Sequence, residues 1–293
     1  IILRTEVINQ YYKIDSIHFG AANQLDTIFV TNPSLIKDSD IIILHQAKGV
    51  NWSYDSISPV GNNGFTGRFE FHVVHKKISN KILVRSISKD TIFNVSYSDT
   101  CNLQLVKVGT LNDITKNKTI NNTVTCAPCD GSKGGIVAIV ADTLILNANI
   151  DVSGKGFRGG NPTGDSKATC WENDSTNVSK GYLPKSKMAF GGFKGETIVS
   201  IDTNFTRGRT KLYTAGGGGN GYHAGGGGGA CFYMGGNGGY EAPLCDTTPK
   251  TLGGEGGLGL GLGLLNYPDK NNPNPAIAVF GGGGGCSTQQ FPY

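Results

Sequence analysis

The distribution of glycine constrains what this chain can build more than any other feature. Of its 45 glycines, six fall within residues 1–130 and the other 39 within residues 131–293. Glycine loses more conformational freedom on folding than any other residue and has no side chain to bury. A region this rich in it is either a loose tether or a fold whose packing device is the missing side chain. Disordered glycine linkers usually mix in serine and lack large apolar residues. Here the blocks 216–221, 225–229, 235–239 and 281–285 are nearly equal in length and are separated by aromatic residues, Cys or Leu. In "GGEGGLGLGLGLL" the alternation puts Leu258, Leu260, Leu262 and Leu264 on one face of an extended chain and bare backbone on the other. Consecutive glycines also adopt the threefold extended helix of the polyproline II type. Several such helices side by side exchange N–H···O and Cα–H···O bonds because no Cβ intervenes. The packed bundle is preferred to the tether, with the aromatic residues in turns at its ends.

The glycine-poor part has a different pattern. "LDTIFV", "DIIILHQAKG", "GRFEFHVVHK", "KILVRSIS" and "CNLQLVKVG" are short runs rich in Ile, Val and Phe, separated by turn formers. "RFEFHVVHKKISNKILVRS" predicts a hairpin that turns at Ser79–Asn80. Strand alternation sends His72 and His75 to opposite faces, which argues against a shared metal site. The fold class is all-β: an antiparallel β domain over 1–125, then a β-helix-like and glycine-rich domain with a polyglycine II-type bundle over 126–293. "GGIVAIVADTLILNANIDVSGKGFRGG" supplies three apolar runs, IVAIV, LILNANI and DVS, of the kind that stack as rungs of a solenoid. Asn147 and Asn149 stand where corner ladders form. An edge-packed sheet is the alternative.

The net charge of +4 over 293 residues is too mild to indicate a nucleic-acid partner. No run of about 18 apolar residues is present, so no membrane-spanning helix is expected. Of the seven cysteines, Cys101, Cys126, Cys129, Cys170, Cys231, Cys245 and Cys286, only Cys126 and Cys129 lie close together. Neither a zinc site with a second ligand pair nor a strand-to-helix redox motif fits them, so disulfides in an oxidising compartment are expected. No phosphate-binding or dinucleotide fingerprint occurs, and no metal or cofactor is expected. Trp171 and Tyr182, in a long polar excursion, are positioned either to anchor it or to stack on a sugar. The cluster Arg207, Arg209 and Lys211 is either a solvated positive turn or a grip on an acidic sugar.

Several of these phrases resemble a known family. "NANIDVSGKGFRGG", followed by "TRGR", "AGGGGNGYHAGGGGG", "GGNGG" and "FGGGGG", is similar to the amino-terminal part of large gliding-motility surface adhesins of Bacteroidota. Those proteins are exported by the type IX secretion system. The glycine-rich part also looks like the polyglycine bundles of certain phage tail-fibre adhesins. The resemblance covers residues 131–290 and implies an exported, cell-surface, extracellular protein. Its partners would be an external surface or polysaccharide and the type IX secretion and gliding machinery. The chain is expected to be a portion of a longer polypeptide. Bacteroidota O-glycosylate Asp-[Ser/Thr] before an aliphatic residue, Ala, Met or Thr. That pattern marks Ser16, Thr27, Ser56, Thr91, Thr143, Ser175 and Thr247, seven of the sixteen aspartate contexts.

The leading functional expectation is a non-enzymatic adhesin module. Its contact residues would include Trp171, Tyr182, Arg207, Arg209, Tyr222, His223 and Tyr233. A β-helix polysaccharide lyase or hydrolase is the alternative, and its chemistry needs carboxylates paired at fixed separation. Only six Glu are present, and no close pair of acids stands out on one strand face. A structural cargo or partner of the secretion machinery is the third class.

Overall fold

The computed structural model describes residues 4–20, 25–49, 52–53, 58–59, 66–86, 103–161, 191–199, 206–219, 224–239, 253–259 and 279–287. These residues form no α-helix and a single 3-10 turn at Leu111–Asp113. The strands are β1 (Thr5–Val7), β2 (Gln10–His18), β3 (Asp26–Val30), β4 (Asp40–Gln46), β5 (Trp52–Ser53) and β6 (Ser58–Pro59). They continue with β7 (Phe69–Ile78), β8 (Lys81–Ser86), β9 (Leu103–Thr110), β10 (Lys118–Ile120), β11 (Thr123–Thr125) and β12 (Leu144–Leu146). The chain divides into two compact units. One holds residues 1–47 and 67–156, the other 48–66 and 157–293.

In the first unit an antiparallel sheet closes on itself in the order β2-β3-β8-β7-β4-β9. Closure leaves no long edge open to other chains. Irregularities at Ile14/Ser16, Ile41/Ile42 and Val74/Lys76 supply the local bends that a six-stranded barrel needs. The expected hairpin is present, with Ile78 opposite Lys81 and Ser79 at φ 55 in the turn. His72 is buried, with Nε2 3.5 Å from Glu70 Oε2, while His75 is exposed, so the two histidines do diverge.

Every residue of β4 is buried, because both of its faces are covered. Ile41 and Ile43 join Val106 and Val108 in a cluster against which Ile136, Ala138 and Val140 pack. The IVAIV run is thus not a rung of a stack but a cover on the outside of the barrel. Its backbone is tied down by side chains: Tyr11 Oη donates to Ile136 O at 2.6 Å, and Asn9 bonds both the N–H and the C=O of Ala138. Burying one such Ile or Val contributes about 1.5–3 kcal/mol.

Beside the barrel lie short parallel pairs. β1 pairs with β11, and β10 with β12, with Lys118 opposite Leu144 and Val124 bridged to Ile150. Both registers carry an offset of 26 residues (144 minus 118 and 150 minus 124). The same offset brings Asn147 Nδ2 to Asn121 Oδ1 at 2.9 Å, an amide pair between the two segments, whereas Asn149 contributes its carbonyl to Val124 N–H.

In the second unit, glycine segments without strand pairing hydrogen-bond to several neighbours at once. Along 225–230, Gly225 N–H donates to Gly239 O, Gly227 to Gly217 O, Gly228 to Gly236 O and Ala230 to Thr214 O. The carbonyls of the same residues receive N–H groups from Gly254, Gly285, Gly257 and Gly282. The segment therefore bonds to four surrounding stretches, where a β-strand has only two edges to offer. Side chains would forbid this. A Cβ on Gly218, Gly227 or Gly283, all buried, would meet the backbone of Gly192, Glu255 or Arg158 respectively.

Candidate functional site

Two features of the second unit present chemistry to solvent. The first is the turn Cys231-Phe232-Tyr233-Met234, which joins the glycine segments 224–230 and 235–239. Those two segments are bonded to each other through Gly225–Gly239 and Gly228–Gly236. The turn's apolar side chains point outward, with Phe232, Tyr233 and Met234 exposed by 41%, 81% and 68%. The Phe232 and Tyr233 rings meet edge to face at 5.0 Å. These backbone bonds hold the two ends of the turn together, and its aromatic side chains stand in solvent.

The second feature is a cleft of about 290 Å³, lined by Arg158–Asn161, Phe193–Glu196 and Thr206. Two similar tetrapeptides build it, Phe157-Arg158-Gly159-Gly160 and Phe193-Lys194-Gly195-Glu196. They run side by side. Glu196 N–H donates to Arg158 O at 2.8 Å, and the Glu196 carboxylate accepts from Arg158 N–H and from Arg158 Nε, both at 3.1 Å. Its other oxygen holds Lys48 Nζ at 2.6 Å. Burial pushes the Glu196 carboxyl upward, but bonds from Lys48 and Arg158 outweigh it and leave it below its ordinary range. Glu196 is therefore an ionised anchor for cations, and a poor proton donor.

Lys194 is buried, and its ammonium donates to the carbonyls of Gly208 and Thr210. Burial, with Arg209 adding repulsion, holds its pKa well below that of an ordinary lysine, although Glu255 opposes the shift. The Arg207 guanidinium lies over the Phe193 ring at 4.0 Å. The Arg209 carbonyl accepts Glu255 N–H at 2.7 Å, and the Arg209 Nε donates to Gly253 O at 3.4 Å. The expected Arg207, Arg209 and Lys211 cluster thus splits, with Arg207 over the Phe193 ring and Lys211 Nζ on Glu255 Oε2 at 3.4 Å.

Four cysteines, Cys126, Cys129, Cys231 and Cys286, are present as thiols without a disulfide bond. The expectation of disulfides is not met at these positions. Cys126 and Cys129 are buried in the turn that precedes the barrel cover, and burial pushes the Cys126 thiol up. Cys286 is buried, its sulfur accepting Phe193 N–H at 2.9 Å. Among the acceptor motifs, Ser16 and Thr143 are exposed and Thr27 is half-buried on β3. Ser56, Thr91, Ser175, Thr247, Trp171, Tyr182, Tyr222, His223, Cys101, Cys170 and Cys245 lie outside the described residues.

No group of three or more His, Cys, Asp or Glu suited to a metal occurs among the described residues. No helix among them is long and apolar enough to cross a membrane. The contact residues expected from the sequence include Tyr233 but not Phe232, Met234, Arg158 or Glu196. The recurrence of Phe-[Arg/Lys]-Gly at 157 and 193 was the available signal for the cleft. Comparison with known proteins brings no match: no family model, curated protein or solved structure is similar to the chain.

Proposed function

We propose that this chain is a non-enzymatic surface adhesin module, whose glycine segments form a polyglycine II-type bundle displaying an aromatic turn to an external surface. The observation that carries the reading is the outward exposure of Phe232, Tyr233 and Met234 on a turn whose two flanking segments are backbone-bonded to one another. Apolar display at such a turn has no folding benefit and suits contact with a hydrophobic or saccharide surface. The multi-neighbour bonding of residues 225–230 and the backbone-crowded glycines support the bundle. The parallel pairs at 26-residue offset support a short β-helix-like coil beside the barrel. Export to the cell surface by a type IX pathway, and service in gliding motility, rest on the sequence resemblance and belong to the same proposal.

The test is adsorption of the full chain to polystyrene and polysaccharide-coated beads. The triple variant Phe232→Ser, Tyr233→Ser, Met234→Ser should lose most retention while keeping its melting temperature. Retention equal to that of the parent chain would reject the turn as the contact.

A further inference from the structure

We infer that the apolar turn Cys231–Met234 dips into the headgroup boundary of a lipid bilayer whose headgroups are zwitterionic. This rests on the adhesin reading and names the partner of its contact turn. The charge pattern points to a neutral surface. Residues 212–240 contain no Asp, Glu, Lys or Arg, in a chain of which 16% is charged. The sequence on either side of the turn offers nothing to match an acidic polymer or an anionic headgroup. Its electrostatic complement is a surface without net charge.

Ring geometry and side-chain chemistry separate a bilayer from a neutral polysaccharide. A sugar is gripped by a ring laid against its flat face and by polar side chains that bond its hydroxyls. The Phe232 and Tyr233 ring planes stand at 83° to each other, so the two rings cannot share one sugar face. From Ala224 to Gly236 the Tyr233 hydroxyl is the one strong hydrogen-bonding side-chain group. A bilayer boundary asks for less. Tyr233 joins an apolar ring to a hydroxyl, as residues at the headgroup level do, and Phe232 and Met234 add apolar area. The base of the turn also tolerates loss of water. Ala230 N–H donates to Thr214 O, Ala230 O accepts from Gly282 N–H, and Gly235 N–H donates to Gly257 O. Those backbone groups are satisfied within the protein. Ala230, Gly235 and Gly236, next to the turn in the chain, carry nothing larger than a methyl group. Three side chains give weak, reversible attachment, no stronger than that of one short acyl chain.

Flotation of the full chain with phosphatidylcholine vesicles, at millimolar lipid, provides the test. Vesicles with added phosphatidylserine form a second arm, and an excess of soluble cello- or chito-oligosaccharide as competitor forms a third. The chain is expected to float with the phosphatidylcholine vesicles equally at low and high salt. Phosphatidylserine should bring no gain, and neither sugar should displace the chain. The triple variant Phe232→Ser, Tyr233→Ser, Met234→Ser should lose about tenfold or more in partitioning, because the apolar area that enters the boundary is gone. Tyr233→Asp should lose partitioning as well, and Tyr233→Trp should match or exceed the parent chain. Thermal unfolding at the parent's temperature confirms that each variant folds. Absence of flotation, a requirement for phosphatidylserine, loss at high salt, displacement by either sugar, parental partitioning in the triple variant or Tyr233→Asp, or loss in Tyr233→Trp would overturn the proposal. If polystyrene adsorption still depends on the turn in that event, the adhesin reading stands and the bilayer alone falls.

Discussion

The carbonyl of Glu255 occupies the place that a Cβ on Gly227 would take, while Gly227 itself donates to Gly217 O and accepts from Gly285 N–H. One glycine is thus bonded to two segments and pressed against a third. Gly227→Val must push Glu255 away and should cost about 1–3 kcal/mol, read as a lower melting temperature and faster proteolysis of the segment. Gly236 gives the matched control, because nothing lies within 4 Å of its would-be Cβ. Gly236→Ala should be neutral or stabilise by about 0.4–1 kcal/mol through the unfolded chain. Equal melting temperatures for the two variants would show that missing side chains are not what packs this unit.

Thiol reactivity should follow burial. Cys231 is exposed in the aromatic turn, whereas Cys126, Cys129 and Cys286 are buried, and burial also disfavours the Cys126 thiolate. Iodoacetamide on the native protein, followed by peptide mass mapping, should label Cys231 first. The other three should react mainly after denaturation. Rapid native labelling of Cys126 would contradict its buried position.

Modification in a host that O-glycosylates Asp-[Ser/Thr] motifs should also follow exposure. Thr143 and Ser16 are open to solvent, while Thr27 is half-buried on a barrel strand. Glycopeptide analysis is expected to find Thr143 and Ser16 occupied and Thr27 less so. Unmodified peptides at both exposed sites would remove this support for an exported glycoprotein.

The barrel was largely legible in the sequence because its strands are β-branched runs broken by turn formers, and Ser79–Asn80 marked the β7–β8 hairpin. The IVAIV run was misread because a continuous apolar segment looks the same as a rung or as a cover over β4. Its role is fixed by Asn9 and Tyr11, more than a hundred residues away. Asn147 was seen as a corner residue, but its partner Asn121 follows only once the 26-residue offset is known. The glycine blocks announced close packing, yet not their neighbours. Segments without side chains carry almost no register information, so the pairing of Gly227 with Gly217 and Gly285 is set by the whole unit. The cleft is not legible in the sequence because Arg158 and Glu196 meet only in space, whereas Arg207, Arg209 and Lys211 stand together in one run.

The buried ammonium of Lys194 gives the second unit a pH dependence of known sign. Desolvation holds its pKa well below that of a free lysine, against the pull of Glu255. The unfolded chain regains the ordinary value near about 10.4. Between those two values the unfolded state binds more protons than the folded state. Stability therefore rises with pH across that window, with a slope of up to about 1.4 kcal/mol per pH unit. The cost is fully present below the folded pKa, where Lys194 is charged in both states. Denaturant unfolding of the second unit from about pH 7 to about pH 9.5 stays below the ordinary tyrosine range. That limit matters because Tyr11 and Tyr12, both raised by burial, would destabilise the first unit at higher pH. The midpoint is expected to climb over that range in the parent chain and to stay flat in Lys194→Met. A climb of equal size in Lys194→Met would assign the effect to another group.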